Sequence, residues 1–196
     1  MAIDYEQASR TYDDTRAADE ETIELMGLEP SDAMRAIARS KNPSLRTEEG
    51  DHSRIPFAES SLDFVYMTDV IHHVRDLDLL FEGLRRKLVP GGLVCVVTES
   101  WEQIGARWYN AYFPSLAANE KSRYPGLSHI EAAAAGAGLS SLGVEIGHSI
   151  GNRVADAAFI RLVEEKNYSM FRLFGEAEYE AGLAALRADE GRIFEL

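Results

Sequence analysis

The stretch LDFVYMTDVIHHVRDLDLLFEGLRRKLVPGGLVCVVT, residues 62–98, decides the fold. Leu62–Thr68 is a continuous apolar run of strand length, the pattern of a strand buried on both faces. Asp76 starts a helix in which Leu77, Leu80, Phe81, Leu84 and Leu88 recur at three- and four-residue intervals and form one stripe. Pro90-Gly91-Gly92 breaks it, and Leu93–Thr98 reads as a second buried strand. Outward from this unit the rhythm repeats. Ser31 can cap a helix through Met34, Ile37 and Ala38 that ends before Pro43, and Leu45–Glu49 is a short strand. Ser128 caps an Ala-rich helix that stops at Gly138, and Leu142–Ile146 is a last strand. Trp101–Tyr124 and Val154–Ala188 are mostly helical. Alternation of this kind predicts an α/β fold with a mainly parallel sheet flanked by helices.

The chain has 196 residues, a length that suits one domain, residues 1–196, with a core of its own. Twenty Lys and Arg stand against 33 Asp and Glu, a net charge of −13. Such a surface repels phosphate backbones and anionic membranes, so neither a nucleic-acid nor a membrane partner is expected. The richest basic cluster, Arg85-Arg86-Lys87, is one turn of helix. Cys95 is the single cysteine, which excludes an internal disulfide and a multi-cysteine metal site. Lying inside LVCVV, it reads as a small buried apolar residue. No apolar run is long enough to span a membrane, and MAIDYEQASR lacks the apolar core of a signal peptide. These features predict a reduced, soluble, cytoplasmic protein.

In open parallel sheets ligands sit beyond the carboxyl ends of the strands. The residues there are Glu29-Pro30-Ser31, Gly50-Asp51-His52, Thr68-Asp69 with His72-His73, and Thr98-Glu99. Carboxylates from several strands on one rim suit a ligand rich in hydroxyls and amines. The alternative is that each acid caps a helix or faces water.

At these residues the chain resembles a class I S-adenosylmethionine-dependent methyltransferase of the branch acting on small molecules. The resemblance rests on Gly27-Leu28-Glu29-Pro30-Ser31 with Met34, Glu49-Gly50-Asp51 with Ile55-Pro56-Phe57, Leu62-Asp63-Phe64-Val65 through Asp69–Val74, and Leu84–Leu93. It covers about residues 5–150. It implies a Rossmann-like sheet with helical cover segments at about 1–26, 101–124 and 153–190, and S-adenosylmethionine as cofactor. Carried over, it implies that Glu29 holds the ribose hydroxyls. Asp51 would accept from the adenine amino group with His52 beside the ring, and Asp69 and Val70 would line the cofactor's far end.

One expected part is missing. The family's first strand runs into a Gly-x-Gly loop that opens a helix and lets backbone approach the methionine moiety. No glycine precedes Gly27 here. Thr22–Met26 resembles the end of the family's leading helix, and Gly27-Leu28-Glu29 the end of its second strand. A unit of roughly 30 residues should lie between them. The first strand normally lies between the second and fourth, so its loss would expose backbone donors and acceptors in the sheet. Three arrangements meet this: a chain carrying the segment in addition to these residues, a sheet re-closed without it, or a homodimer in which a second copy supplies it. Gly191–Leu196 is likewise only the beginning of the family's last strand.

His72 is the candidate catalytic base, able to draw a proton from an acceptor hydroxyl or amine near neutral pH. The alternative for it and for His73 is packing and backbone hydrogen bonding. Metal ligation is not expected, because adjacent side chains diverge and no third ligand has suitable spacing. Tyr5 and Tyr12 lie on a helical stretch that either covers the site or packs on the domain. Trp101, Trp108 and Tyr112 fall on one helical face and, with Phe113, Phe171, Phe174 and Tyr179, wall an acceptor pocket or build a second core. Two readings follow. One is methyl transfer to a small-molecule acceptor, mostly by positioning. The other is a methyltransferase-like binding or scaffold protein without catalysis.

Overall fold

The computed structural model describes residues 25–147, 154–166 and 168–194. They fall in two compact units that divide after Phe57. Tyr5, Tyr12 and most of the first cover segment lie outside the described residues.

The first unit is a strand–helix–strand: β1 (Met26–Leu28), α1 (Asp32–Lys41) and β2 (Arg46–Glu48). The strands are parallel, with Met26 opposite Arg46 and Leu28 opposite Glu48. The Ser31 hydroxyl accepts from the Met34 N–H at the start of α1, and the Asn42 N–H returns to the Ala38 carbonyl at its end. Asp32 in the first turn and Arg39 and Lys41 in the last complement the helix dipole. One expectation is corrected here. Met26 belongs to a strand and not to the end of a leading helix. Met34 and Ile37 lie on the expected helix and are 53% and 46% exposed, and its buried residue is Arg35. Its guanidinium finds acid and carbonyl partners there, so burial does not leave the charge unpaired.

The second unit contains β3 (Leu62–Thr68), α2 (Leu77–Lys87), β4 (Leu88–Val97), α3 (Trp101–Gly105), α4 (Leu116–Arg123), α5 (Leu127–Gly136), α6 (Ala157–Glu164) and α7 (Glu176–Ala188). Short 3-10 turns occur at Ile71–His73, Trp108–Ala111 and Ser169–Arg172. The stripe on α2 is buried as its periodicity predicts, and α5 packs against that helix. β3 and β4 are parallel, with Leu62 opposite Leu88 and then Phe64 opposite Leu93. Val89–Gly92 therefore forms an irregularity within β4 rather than a break before it. Gly92 fits closely there, because a Cβ would stand 3.0 Å from the Leu62 carbonyl oxygen, while Gly91 takes φ +85°.

A second core gathers Tyr112, Phe113, Leu116, Ile160, Val163, Phe171, Tyr179 and Leu186. Trp108 joins its edge, 4.7 Å from both Phe159 and Phe194 between ring centroids. The second-core role thus holds for most of the aromatic residues. Trp101 is separate from Trp108 and Tyr112, because α3 ends at Gly105 and the common helical face does not exist.

Three further expectations fail. β3 and β4 are not buried on both faces: Phe64, Tyr66, Leu93 and Val97 are each more than 40% exposed, and the register places them on one face of a two-stranded pair. Leu142–Ile146 forms no strand, since among the described residues no neighbour pairs with it, and its three apolar side chains are exposed. α5 starts at Leu127 with Gly126 at its cap, so Ser128 is inside the helix, and it ends two residues before Gly138, which has φ +81°.

Candidate functional site

In the first unit the loops after β1 and β2 are neighbours, because the ladder continues one residue beyond Leu28: the Glu29 N–H donates to the Glu48 carbonyl at 3.2 Å. Glu29 does two local jobs. Its carboxylate Oε1 accepts from the Ser31 N–H at 2.8 Å, and its carbonyl accepts from Arg35 Nη1 at 2.6 Å. Arg35 also pairs with Asp32 and stands 3.7 Å from Glu49 Oε2. This one buried cation thereby ties the helix to both strand-end loops. Arg35 carried no signal in the sequence; it is simply an arginine one turn into a helix.

After β2, Gly50 is enclosed. A Cβ there would lie 2.4 Å from the Arg54 carbonyl and 2.7 Å from the Leu28 side chain, so a larger residue would displace the loop. Asp51 Oδ1 accepts from the Ser53 N–H at 2.8 Å, the Ser53 hydroxyl at 2.7 Å and the Arg54 N–H at 3.2 Å. These bonds, the Ser53 hydroxyl foremost, hold its carboxyl below the usual range, and His52 beside it adds to the effect. Each acid thus uses one oxygen to shape its own loop. The other oxygens, Glu29 Oε2 and Asp51 Oδ2, accept no hydrogen bond among the described residues. Glu29 and Asp51 therefore satisfy the cap-and-turn alternative and still offer one acceptor each.

In the second unit Asp69 follows β3 in the left-handed region, φ +50°, which an Asp tolerates better than most residues. Its N–H donates to the Val97 carbonyl at 3.0 Å, bringing Asp69 and Val70 against the end of β4. Val70 opens the 3-10 turn and is 45% exposed. Ile71 is completely buried, which anchors the turn. His72 is half-buried, its ring 4.4 Å from that of Tyr124 with 20° between the planes. Its Nδ1 is buried with no hydrogen-bond partner, as is Thr98 Oγ1 at the end of β4. Burial, assisted by His73, Arg123 and Arg107, lowers the His72 imidazole to about 4. It is neutral at neutral pH, but a weaker base than an ordinary histidine.

The cover over this end is built from α3 and α4. Ser100 and Gln103 form a capping box that starts α3, and Trp101 Nε1 donates to the Tyr124 carbonyl at 2.9 Å. Beneath runs a chain of alternating charge. Arg107 donates from Nε and Nη2 to both oxygens of Glu99, and from Nη1 to Glu120 Oε2 at 3.3 Å. Glu120 Oε1 takes Arg123 Nη1 at 2.7 Å. Arg107 and Glu120 are almost fully buried. Neither they nor Tyr124 stood out in the sequence, because ion pairs across separate helices leave no periodic trace.

Residues 11–96 match the methyltransferase domain family. Over 100 residues the chain is 31% identical to a demethylmenaquinone methyltransferase of Oceanobacillus iheyensis, covering 47% of this chain and 42% of that protein. Over 86 residues it is 30% identical to phosphoethanolamine N-methyltransferase 2 of Caenorhabditis elegans, covering 41% and 20%. The chain thus spans less than half the length of these relatives. Among solved structures it is similar to a methyltransferase assigned to an antibiotic biosynthesis pathway of Anabaena variabilis, with TM-score 0.63, 20% identity, and coverage of 88% of this chain and 72% of that one. That likeness identifies the fold as Rossmann-like α/β.

Proposed function

We infer that this chain, whose residues 11–96 belong to the methyltransferase domain family and whose fold is that of class I S-adenosylmethionine-dependent methyltransferases, transfers a methyl group from S-adenosylmethionine to a small-molecule acceptor. The observation that carries the reading is the pair of unused carboxylate oxygens, Glu29 Oε2 and Asp51 Oδ2, on neighbouring loops after two parallel strands. They suit the donor-rich ribose and adenine. His52 flanks the adenine ring. The cofactor supplies an activated methyl on a sulfonium. The protein's part is to orient the acceptor and exclude water. His72, neutral and with an unused nitrogen, is the group in the second unit suited to take a hydrogen bond, and then a proton, from an acceptor hydroxyl or amine.

A small-molecule acceptor is supported by the two named relatives and by the net charge of −13, which disfavours nucleic acid. Among the described residues no helix is long and apolar enough to cross a membrane, and we place the activity in the cytoplasm. The chain has no glycine before Gly27, so a binding protein without catalysis is the second reading. Calorimetry with S-adenosylhomocysteine tests the first: saturable binding is expected, and no binding by the intact protein overturns it. Binding without methyl transfer to any member of a panel of amine, phenol and quinol acceptors favours the second.

A further inference from the structure

Arg107 lies between elements that otherwise share no backbone ladder. Glu99 lies two residues past the end of β4, Glu120 belongs to α4, and Met170, whose Sδ is 3.4 Å from Nη1, to the 3-10 turn Ser169–Arg172. Arg123, the far member of the chain, reaches Ser169 Oγ from Nη2 at 3.3 Å. The same turn is thus held twice, once by each arginine. Two negative and two positive charges alternate along Glu99–Arg107–Glu120–Arg123, so the cluster is neutral as a whole.

Burying such a cluster is an expensive way to gain stability. Desolvation offsets most of the attraction, and well-packed apolar side chains often hold a fold as firmly. What the guanidinium adds is direction. Its donors are planar and fixed, so each partner has one place to stand. We propose that Arg107 is a positioning residue that sets α4 and the Ser169–Arg172 turn in one place over the end of β4, and with them the Tyr124 ring that lies on His72. This rests on the methyltransferase reading only for what that cover encloses, an acceptor shielded from water.

Two variants separate positioning from mere stability. Arg107→Met leaves Glu99 without its partner and Glu120 with Arg123 alone, and should lower the thermal midpoint. Combining it with Glu99→Gln removes the one unpaired charge, leaves the Glu120–Arg123 ion pair intact, and should restore most of that midpoint. Amide hydrogen exchange is then read segment by segment in the full chain. Residues 116–124 and 168–172 should exchange at least tenfold faster than in wild type in the double variant, while α2 and α5 stay unchanged. If protection returns along with the midpoint, the network only stabilises and the proposal fails. It fails also if Arg107→Met alone leaves exchange of these segments at the wild-type rate. S-adenosylhomocysteine binding of wild type, measured in parallel, is a separate readout. Its absence would overturn the proposed function and leave the exchange result to judge the positioning role.

Discussion

The His72 imidazole lies nearly parallel to the Tyr124 ring, with centroids 4.4 Å apart. The stack joins the turn after β3 to the C-terminal end of α4, and it shields one face of the imidazole from water. Burial is the first cause of its lowered proton affinity, and the neighbours His73, Arg123 and Arg107 act in the same direction.

The sign of the pH dependence follows. The unfolded chain takes up a proton at His72 near the ordinary 6.5, the folded chain only near 4. Between these values the unfolded state binds more protons, so the contribution to stability is complete above about 6.5 and is lost as pH falls to 4. Proton NMR of the histidine resonances should show one imidazole titrating near 4, moving toward 6.5 in Tyr124→Ala. A titration near 6.5 in wild type would contradict the burial described.

As a base, His72 should be modest. His72→Ala is expected to lower turnover by roughly 10²-fold, the low end for a proton-transfer group, because its affinity sits below the working pH. Unchanged turnover in a stably folded variant would mean that positioning alone carries the reaction.

Glu29→Gln and Asp51→Asn should each weaken S-adenosylhomocysteine binding by about 1–3 kcal/mol, the loss from a compromised charge-assisted hydrogen bond. Each side chain also shapes its own loop, so thermal melts must accompany the calorimetry. Equal affinity in both variants would remove these residues from the site.

Arg35→Met tests the anchor of the same loops. It strands the Glu29 carbonyl and leaves Asp32 and Glu49 without their cation. The side chain is buried but Asp32 and Glu49 are exposed, so the loss of stability should fall at or below the ~3 kcal/mol typical of breaking a buried pair. Denaturant unfolding measures it.

Gly182→Ala tests the second core. A Cβ there would stand 2.4 Å from the Phe113 ring and 2.5 Å from the Tyr112 carbonyl, one of them backbone and neither free to retreat. Overpacking of this kind costs typically ~1–3 kcal/mol, against the gain that alanine usually brings to a helix. A more stable variant would show that α7 can shift away from Phe113.

What the sequence determined by itself was what local chemistry dictates. The α2 stripe from Leu77 to Leu84 is buried as its spacing requires, since those residues share one helical face. Ser31 and Asp76 cap their helices because their side chains reach the N–H groups three residues on. The strand-end acids Glu29, Asp51 and Asp69 were legible for the same reason, their positions following from where strands stop. Tertiary structure decided everything that depends on a distant neighbour. Leu142–Ile146 has the composition of a strand, but a strand needs a partner ladder, and among the described residues none is present. Phe64 and Tyr66 read as buried, yet burial requires a covering layer that no local pattern can promise. Arg35, Arg107 and Glu120 look like surface charges in the sequence, and only the fold brings them the partners that make burial affordable. The low proton affinity of His72 likewise comes first from burial and then from His73, Arg123 and Arg107, because desolvation is a property of the surroundings and not of the residue.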